Sequence, residues 1–245
     1  MNGFPACLKE VNIKFHVIDA LYNKGMAGIE VKAKTADGEK SQTTDEGGFA
    51  PIGPFVPGEA ITVDVAKDGY DSVTQTLTAD ENVDFDMVGL NPTSSEMRLI
   101  LTWGPTPSDL DSRVKFFNAA GDEVCKLYWN NKKCDDYASL DVDVSNGGNN
   151  GPETITIKNV PEGIKVMYYI YDYSNKIGRD MTWTQAEAKA TIWGPNGGGS
   201  HVVPLAKGDL NGERYFTVGC FDSTGYASFQ KVANSASSPT LSNCP

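Results

Sequence analysis

The sequence predicts an all-β protein built as two tandem β-sandwich domains. Three observations carry that expectation. Apolar and polar residues alternate with period two along most of the chain. Turn-forming Gly, Asn, Asp and Pro clusters interrupt the alternation at short intervals. No stretch shows the apolar repeat of a long helix. The chain has 245 residues, enough for two ordinary domains. Hydrophobic content of 40% and charged content of 22% suit a folded chain rather than a disordered one.

In residues 1–90 the first strand is Val11-Asn12-Ile13-Lys14-Phe15-His16-Val17, and Ile29-Glu30-Val31-Lys32-Ala33-Lys34 repeats its alternation. Further strands are expected at 60–66, 72–77 and 83–88. Asn23-Lys24-Gly25, Asp37-Gly38, Glu46-Gly47-Gly48, Pro57-Gly58 and Asp68-Gly69 supply the turns. About seven short strands in this length make a sandwich. Residues 91–95, Asn91-Pro92-Thr93-Ser94-Ser95, read as a linker. The second domain, 96–232, opens on the alternating Met97-Arg98-Leu99-Ile100-Leu101-Thr102-Trp103. Strands follow at 112–118, 123–129, 154–160, 166–173, 186–193, 201–205, 215–220 and 227–232, which points to a larger, jelly-roll-like double sheet. The polar stretch 233–245 is expected to be a tail, either a mobile terminus or a segment that orders against another subunit.

The net charge is −11, and neither domain is basic, which argues against nucleic acid as a partner. No apolar run approaches the ~18 residues of a membrane span. The start of the chain lacks a basic-then-apolar leader, so the sequence reads as cytosolic or as a mature secreted form. Five cysteines bear on that choice: Cys7, Cys125, Cys134, Cys220 and Cys244. None has the C-x-x-C spacing of a redox or zinc site. Cys125 and Cys134 fit a disulfide across a hairpin. Cys7 and Cys244, near the chain ends, are candidates for bonds to a neighbouring subunit.

The chemistry concentrates in two segments. One is Ser108-Asp109-Leu110-Asp111-Ser112. The other is Leu140-Asp141-Val142-Asp143, which runs through a Gly-Asn loop to Gly151-Pro152-Glu153. Carboxylates at i and i+2 of an extended chain point the same way. Two such pairs facing each other would repel unless a hard cation neutralised them, and calcium takes six to eight oxygens. Asp109, Asp111, Asp141, Asp143 and Glu153 are therefore the candidate calcium ligands. The spacing is not that of an EF-hand. The competing reading makes these aspartates surface residues bonded to backbone amides.

Parts for catalysis are missing from the sequence. Two histidines, His16 and His201, both fall in expected strands, and no nucleophile, phosphate-loop or dinucleotide motif is present. Paired carboxylates leave a glycoside hydrolase as a remote alternative. All four Trp lie beyond residue 95. Trp129, Trp183 and Trp193 are candidates for a glycan-stacking platform, with core packing as their other fate.

Two resemblances extend this reading. Asp19, Gly28-Ile29-Glu30-Val31, Thr44-Asp45-Glu46-Gly47-Gly48-Phe49 and Lys67-Asp68-Gly69-Tyr70 occur in the order of the carboxypeptidase regulatory-like, or transthyretin-like, sandwich. That likeness spans roughly residues 9–90. It implies an Ig-like spacer or attachment domain without peptidase activity. The segment from Leu101-Thr102-Trp103-Gly104 to Ser112, then Leu140-Asp141-Val142-Asp143 and Gly151-Pro152-Glu153-Thr154-Ile155-Thr156-Ile157, resembles a β module of bacterial secreted and surface proteins. It covers roughly residues 96–232. Arg113 stands where relatives often carry His. Together these readings imply an extracellular or cell-surface protein. The leading expectation is a structural subunit that self-associates into a fibre or surface assembly. A calcium-dependent carbohydrate-binding or adhesion module is the alternative.

Overall fold

The computed structural model describes residues 10–80, 85–144, 151–197 and 199–245. Two compact units emerge, one of residues 1–19 and 24–90, the other of residues 20–23 and 91–245. The chain is nearly all β, as its alternation requires.

The first unit holds eight strands: β1 (Val11–Asp19), β2 (Lys24–Gly25), β3 (Glu30–Thr35), β4 (Gly38–Thr43), β5 (Phe49–Phe55), β6 (Ala60–Val65), β7 (Val73–Thr78) and β8 (Phe85–Leu90). β1 pairs with β2 and β5 antiparallel and with β8 in parallel; the second sheet runs β4-β3-β6-β7. Val11, Ile13, Phe15 and Val17 of β1 and Ile61, Val63 and Val65 of β6 are buried, so strict alternation places one face of each strand inside. The Asp45 carboxylate accepts from the amides of Gly47 and Phe49, both at 2.9 Å, and so closes the turn into β5. Gly48 completes that turn at φ +83°, where a Cβ would stand 2.4 Å from the Val17 carbonyl oxygen. The strand expected at 83–88 begins at residue 85, and residues 81–84 lie outside the described part.

The second unit stacks two sheets. Its strands are β9 (Met97–Thr102), β10 (Leu110–Phe117), β11 (Glu123–Leu127), β12 (Lys133–Cys134), β13 (Ala138–Val142), β14 (Glu153–Ile157), β15 (Lys165–Asp172), β16 (Lys189–Trp193), β17 (Ser200–Pro204), β18 (Tyr215–Phe221) and β19 (Gln230–Ala236). One sheet is ordered β11-β10-β15-β18-β19, the other β12-β13-β14-β9-β16-β17. Leu99, Leu101 and Trp103, Val114 and Phe116, Ile155, Tyr168 and Ile170 meet in the core between them.

The cysteines correct one expectation. Cys125 and Cys134 form the hairpin disulfide. Cys244, expected to reach another subunit, is bonded instead to Cys220 of β18. The reason is packing. Phe117, Met167, Tyr169 and Cys220 make an apolar patch, and Leu241 and Cys244 pack against it. The segment read as a tail is thus strand β19 followed by a short 3-10 turn, Leu241–Asn243. Cys7 lies outside the described residues.

Candidate metal centre and aromatic hollow

The second unit brings three of the five candidate ligands together. One carboxylate oxygen from each of Asp109, Asp111 and Glu153 lies within 4.8 Å of the others. Trp103 does much of the positioning. Its indole is buried in the core, and its Nε1 donates to the Pro107 carbonyl at 3.0 Å, pinning the loop that leads to Asp109. The same ring lies against Gly151, where a Cβ would come within 2.9 Å of it. Loop 104–109 and the approach to Glu153 therefore converge on one indole.

Glu153 is 1% exposed. Its carboxylate accepts from the amides of Ser112 and Val144. β11 pairs with β10 only from Val114 onward, so the Ser112 amide lies past the end of that pairing, and Glu153 takes the place of a neighbouring strand. Asp111, also buried, is held by Arg113, whose Nη2 donates to its Oδ2 at 2.5 Å. The Arg113 guanidinium lies 4.0 Å over the Tyr171 ring. Arg113 is thus a counter-charge to the site and not a ligand. Asp109 is the open member. Its Oδ1 is inaccessible to solvent and has no hydrogen-bond donor among the described residues.

Burial and crowding push all three acids toward their neutral forms. Asp109 rises to about 6, first from burial, then from Asp111, Asp143 and Asp172, with Arg113 opposing. Asp111 is raised by burial against the pull of Arg113. Glu153 is raised well above the ordinary range by burial, with the Ser112 amide opposing.

The second Asp-x-Asp pair is split. Asp143 lines the hollow beside Asp109 and Asp111, with its Oδ2 2.6 Å from Lys132 Nζ. Asp141 does not join them. Its carboxylate accepts from Ser139 Oγ at 2.7 Å and from Thr156 Oγ1. The cause is a β-bulge: Leu140 opposes Ile155 but Val142 opposes Thr154, which leaves Asp141 as the extra residue. β13 ends at Val142, and just beyond it the Val144 amide donates to Glu153, so Asp143 leaves the strand beside the cluster. The Gly-Asn loop between the two segments, residues 145–150, lies outside the described residues.

Sequence reasoning placed Asp172 and Tyr173 in a strand like that of the surface-protein module but assigned them no site role. Asp172 is fully buried and accepts from Ser174 Oγ and from the amides of Lys176 and Ile177, at 2.6–2.7 Å. It turns the chain so that the Ser174 amide meets the Asp109 carbonyl at 3.3 Å. The Asp-Tyr pair ending a strand was the available signal. Of the three Trp considered for stacking, Trp183 and Trp193 are 1% and 2% exposed and cannot serve. Trp183 packs edge-on against Phe216 in the core. Trp129 is 47% exposed, and Tyr173 is 56% exposed. With Lys132, Asp109, Asp111 and Asp143 these two rings line a hollow of about 350 Å³. His16 stacks on Phe49 and His201 on Tyr226 and Phe229, so both histidines pack on aromatic rings.

No protein-family profile matches the chain, and no curated protein matches it. Solved structures give distant likenesses. A protein of unknown function, SAV2460, is 19% identical over 61% of this chain and 94% of its own, with a TM-score of 0.46. The Bacillus anthracis TIE protein is 14% identical over 82% of this chain and 32% of its own, at 0.31. The major pilin SpaD of Corynebacterium diphtheriae is 13% identical over 79% and 63%, also at 0.31. At these values none bears on function.

Proposed function

We propose that the chain is a non-enzymatic structural subunit of an extracellular fibre or cell-surface assembly, and that its second unit is stiffened by calcium. The observation that carries the calcium reading is a set of three carboxylate oxygens, one each from Asp109, Asp111 and Glu153, no more than 4.8 Å apart, on a residue set in which Asp109 also has an oxygen that no described donor satisfies. That spread is about twice a calcium–oxygen distance of 2.3–2.6 Å, so one ion reaches all three. Asp109, Asp111 and Glu153 would hold it, and Asp143 stands close enough to assist. Arg113 offsets only part of the charge.

Three acids rather than a flanking pair share the site, and both histidines are stacked on aromatic rings, which favours chelation over hydrolysis. Two disulfides suit an oxidising compartment, and no described helix is long and apolar enough to cross a membrane.

Thermal unfolding tests the calcium reading. Calcium at a hundredfold excess over its dissociation constant adds about 2.7 kcal/mol, which raises Tm by about 5–10 °C in a chain of this size. Magnesium, which prefers a smaller octahedral shell, is expected to do much less. No calcium-dependent rise would remove the site. Sedimentation of the full chain tests assembly: oligomers are expected, and a strictly monomeric chain at high concentration would count against a fibre subunit.

A further inference from the structure

The hollow has a feature that a structural calcium does not need. Two large aromatic side chains stand in solvent at its rim, and the backbone beneath each is tied down. Trp129 sits at the tip of a tight turn in which Tyr128 and Asn131 exchange backbone hydrogen bonds of 2.9 and 3.1 Å. The Cys125–Cys134 disulfide closes the segment carrying it. The Tyr128 ring meets the Trp129 ring edge-on at 6.1 Å. Tyr173 follows the buried Asp172, and Arg214 grips both carbonyls: Nη2 donates to Asp172 O at 2.6 Å and to Tyr173 O at 3.4 Å. Exposed rings on tied-down backbone forfeit burial, and their supports need no ordering when a guest arrives, which is the pattern of a contact surface.

We infer that the hollow between Trp129 and Tyr173 binds a short neutral glycan, with a sugar face on the exposed ring and its hydroxyls bonded to the carboxylates and Lys132. The polar groups select this chemistry. The wall offers both acceptors, in Asp109, Asp111 and Asp143, and a donor in Lys132. A polyol uses both. A cationic guest would meet Lys132 in the wall and Arg113 behind Asp111. An anionic guest would meet three carboxylates. The volume, about 350 Å³, lies at the small end of the ~300–1,000 Å³ typical of small-molecule sites, which suits a short saccharide. This inference goes beyond the calcium reading: it shares Asp109 and Asp111 with that site and adds to them the aromatic rim, Lys132 and Asp143.

The test is a printed array of neutral oligosaccharides probed with the full chain, followed by titration of the strongest binder with and without EGTA. Trp129 fluorescence supplies the signal, because Trp103, Trp183 and Trp193 are buried. Saturable binding is expected, weakened roughly tenfold or more by Tyr173→Ala and, read by calorimetry, by Trp129→Ala. Both side chains are exposed, so both variants are expected to fold and to keep the calcium-dependent Tm shift. A flat array overturns the inference, as does binding that neither variant weakens. Preferential capture of tetramethylammonium or an oligolysine peptide in the hollow overturns it too. Glycan binding that persists in EGTA, beside an absent calcium response, would sink the calcium reading alone.

Discussion

Two Asp-x-Asp pairs of identical spacing occur in the second unit, and the sheet treats them differently. Asp109 and Asp111 bracket the start of β10, where the chain is regular and pairs residue for residue with β15. Both carboxylates reach the cluster. Asp141 and Asp143 straddle a bulge in β13. There one carboxylate bonds Ser139 and Thr156 while the other turns to the hollow. The i, i+2 rule is a statement about unbroken pleat. One inserted residue reverses which face the next side chain takes. On the proposed calcium reading, the comparison makes Glu153, Asp109 and Asp111 the members whose loss a cation would feel, and Asp141 a strand residue.

The largest test is Glu153→Ala. It removes the acceptor for the amides of Ser112 and Val144 in a buried place. Denaturant unfolding in EGTA is expected to show a loss of about 2–5 kcal/mol. Glu153→Gln keeps an acceptor and sheds a disfavoured charge, so its cost in EGTA is expected to be less than half of that. Both variants are expected to lose the calcium response. A full response in Glu153→Gln would place the ion elsewhere.

Next comes Asp109→Asn. No described donor satisfies its Oδ1, so the apo protein is expected to be at least as stable as the parent. The roughly 2.7 kcal/mol added by a hundredfold excess of calcium is expected to vanish. A variant that is destabilised in EGTA yet still answers calcium would mean that Asp109 is structural.

How far the sequence could be read follows from the same physics. Alternation made strands such as β1, β3 and β6 visible, because one face of each is buried; β4, exposed along its whole length, carried no such signal and was not expected. The Cys125–Cys134 bond and the Asp109, Asp111 pairing join residues close in sequence, and sequence carries that; Glu153 joins the two aspartates from the other sheet, on the argument that facing carboxylate pairs need a cation. The bulge at Asp141 was hidden, since Leu-Asp-Val-Asp reads the same with or without it. The Cys220–Cys244 bond was hidden because it requires the end of the chain to fold back onto the patch around Phe117 and Tyr169. Tyr173 was overlooked because nothing in Tyr-Asp-Tyr-Ser tells that the aspartate is buried and the tyrosine after it is not.

Proton linkage sharpens the comparison by a smaller amount. Asp109 titrates at about 6 in the fold and near 3.8 when unfolded, so between those values the folded chain holds more protons. Its contribution is therefore most favourable below pH 4 and declines as pH rises through about 6. After allowance for solvent screening at this half-open position, the decline is about 1 kcal/mol. Other groups titrate in the same range, so the quantity to measure is the difference between parent and Asp109→Asn in EGTA from pH 4 to 7. The gap is expected to move in favour of the variant as pH rises, and calcium is expected to erase the decline in the parent. A flat difference would mean that Asp109 sits in an environment close to water.

The smallest effect belongs to the residue that the spacing rule would have ranked with the ligands. Asp141 is exposed, and of its two hydroxyl partners the half-buried Ser139 has water as an alternative while Thr156 is buried. Asp141→Asn keeps an acceptor for one of them. A cost below about 1 kcal/mol is expected, with the calcium midpoint within twofold of the parent. Asp143→Asn is the matched control. It leaves the Lys132 ammonium without its carboxylate partner and removes a negative charge from the hollow, so it is expected to weaken calcium several-fold while Asp141→Asn does not. If the two substitutions weakened calcium equally, the pair would be acting as an unbroken i, i+2 unit. The bulge would then open on binding, and the split between the two pairs would belong only to the ion-free state.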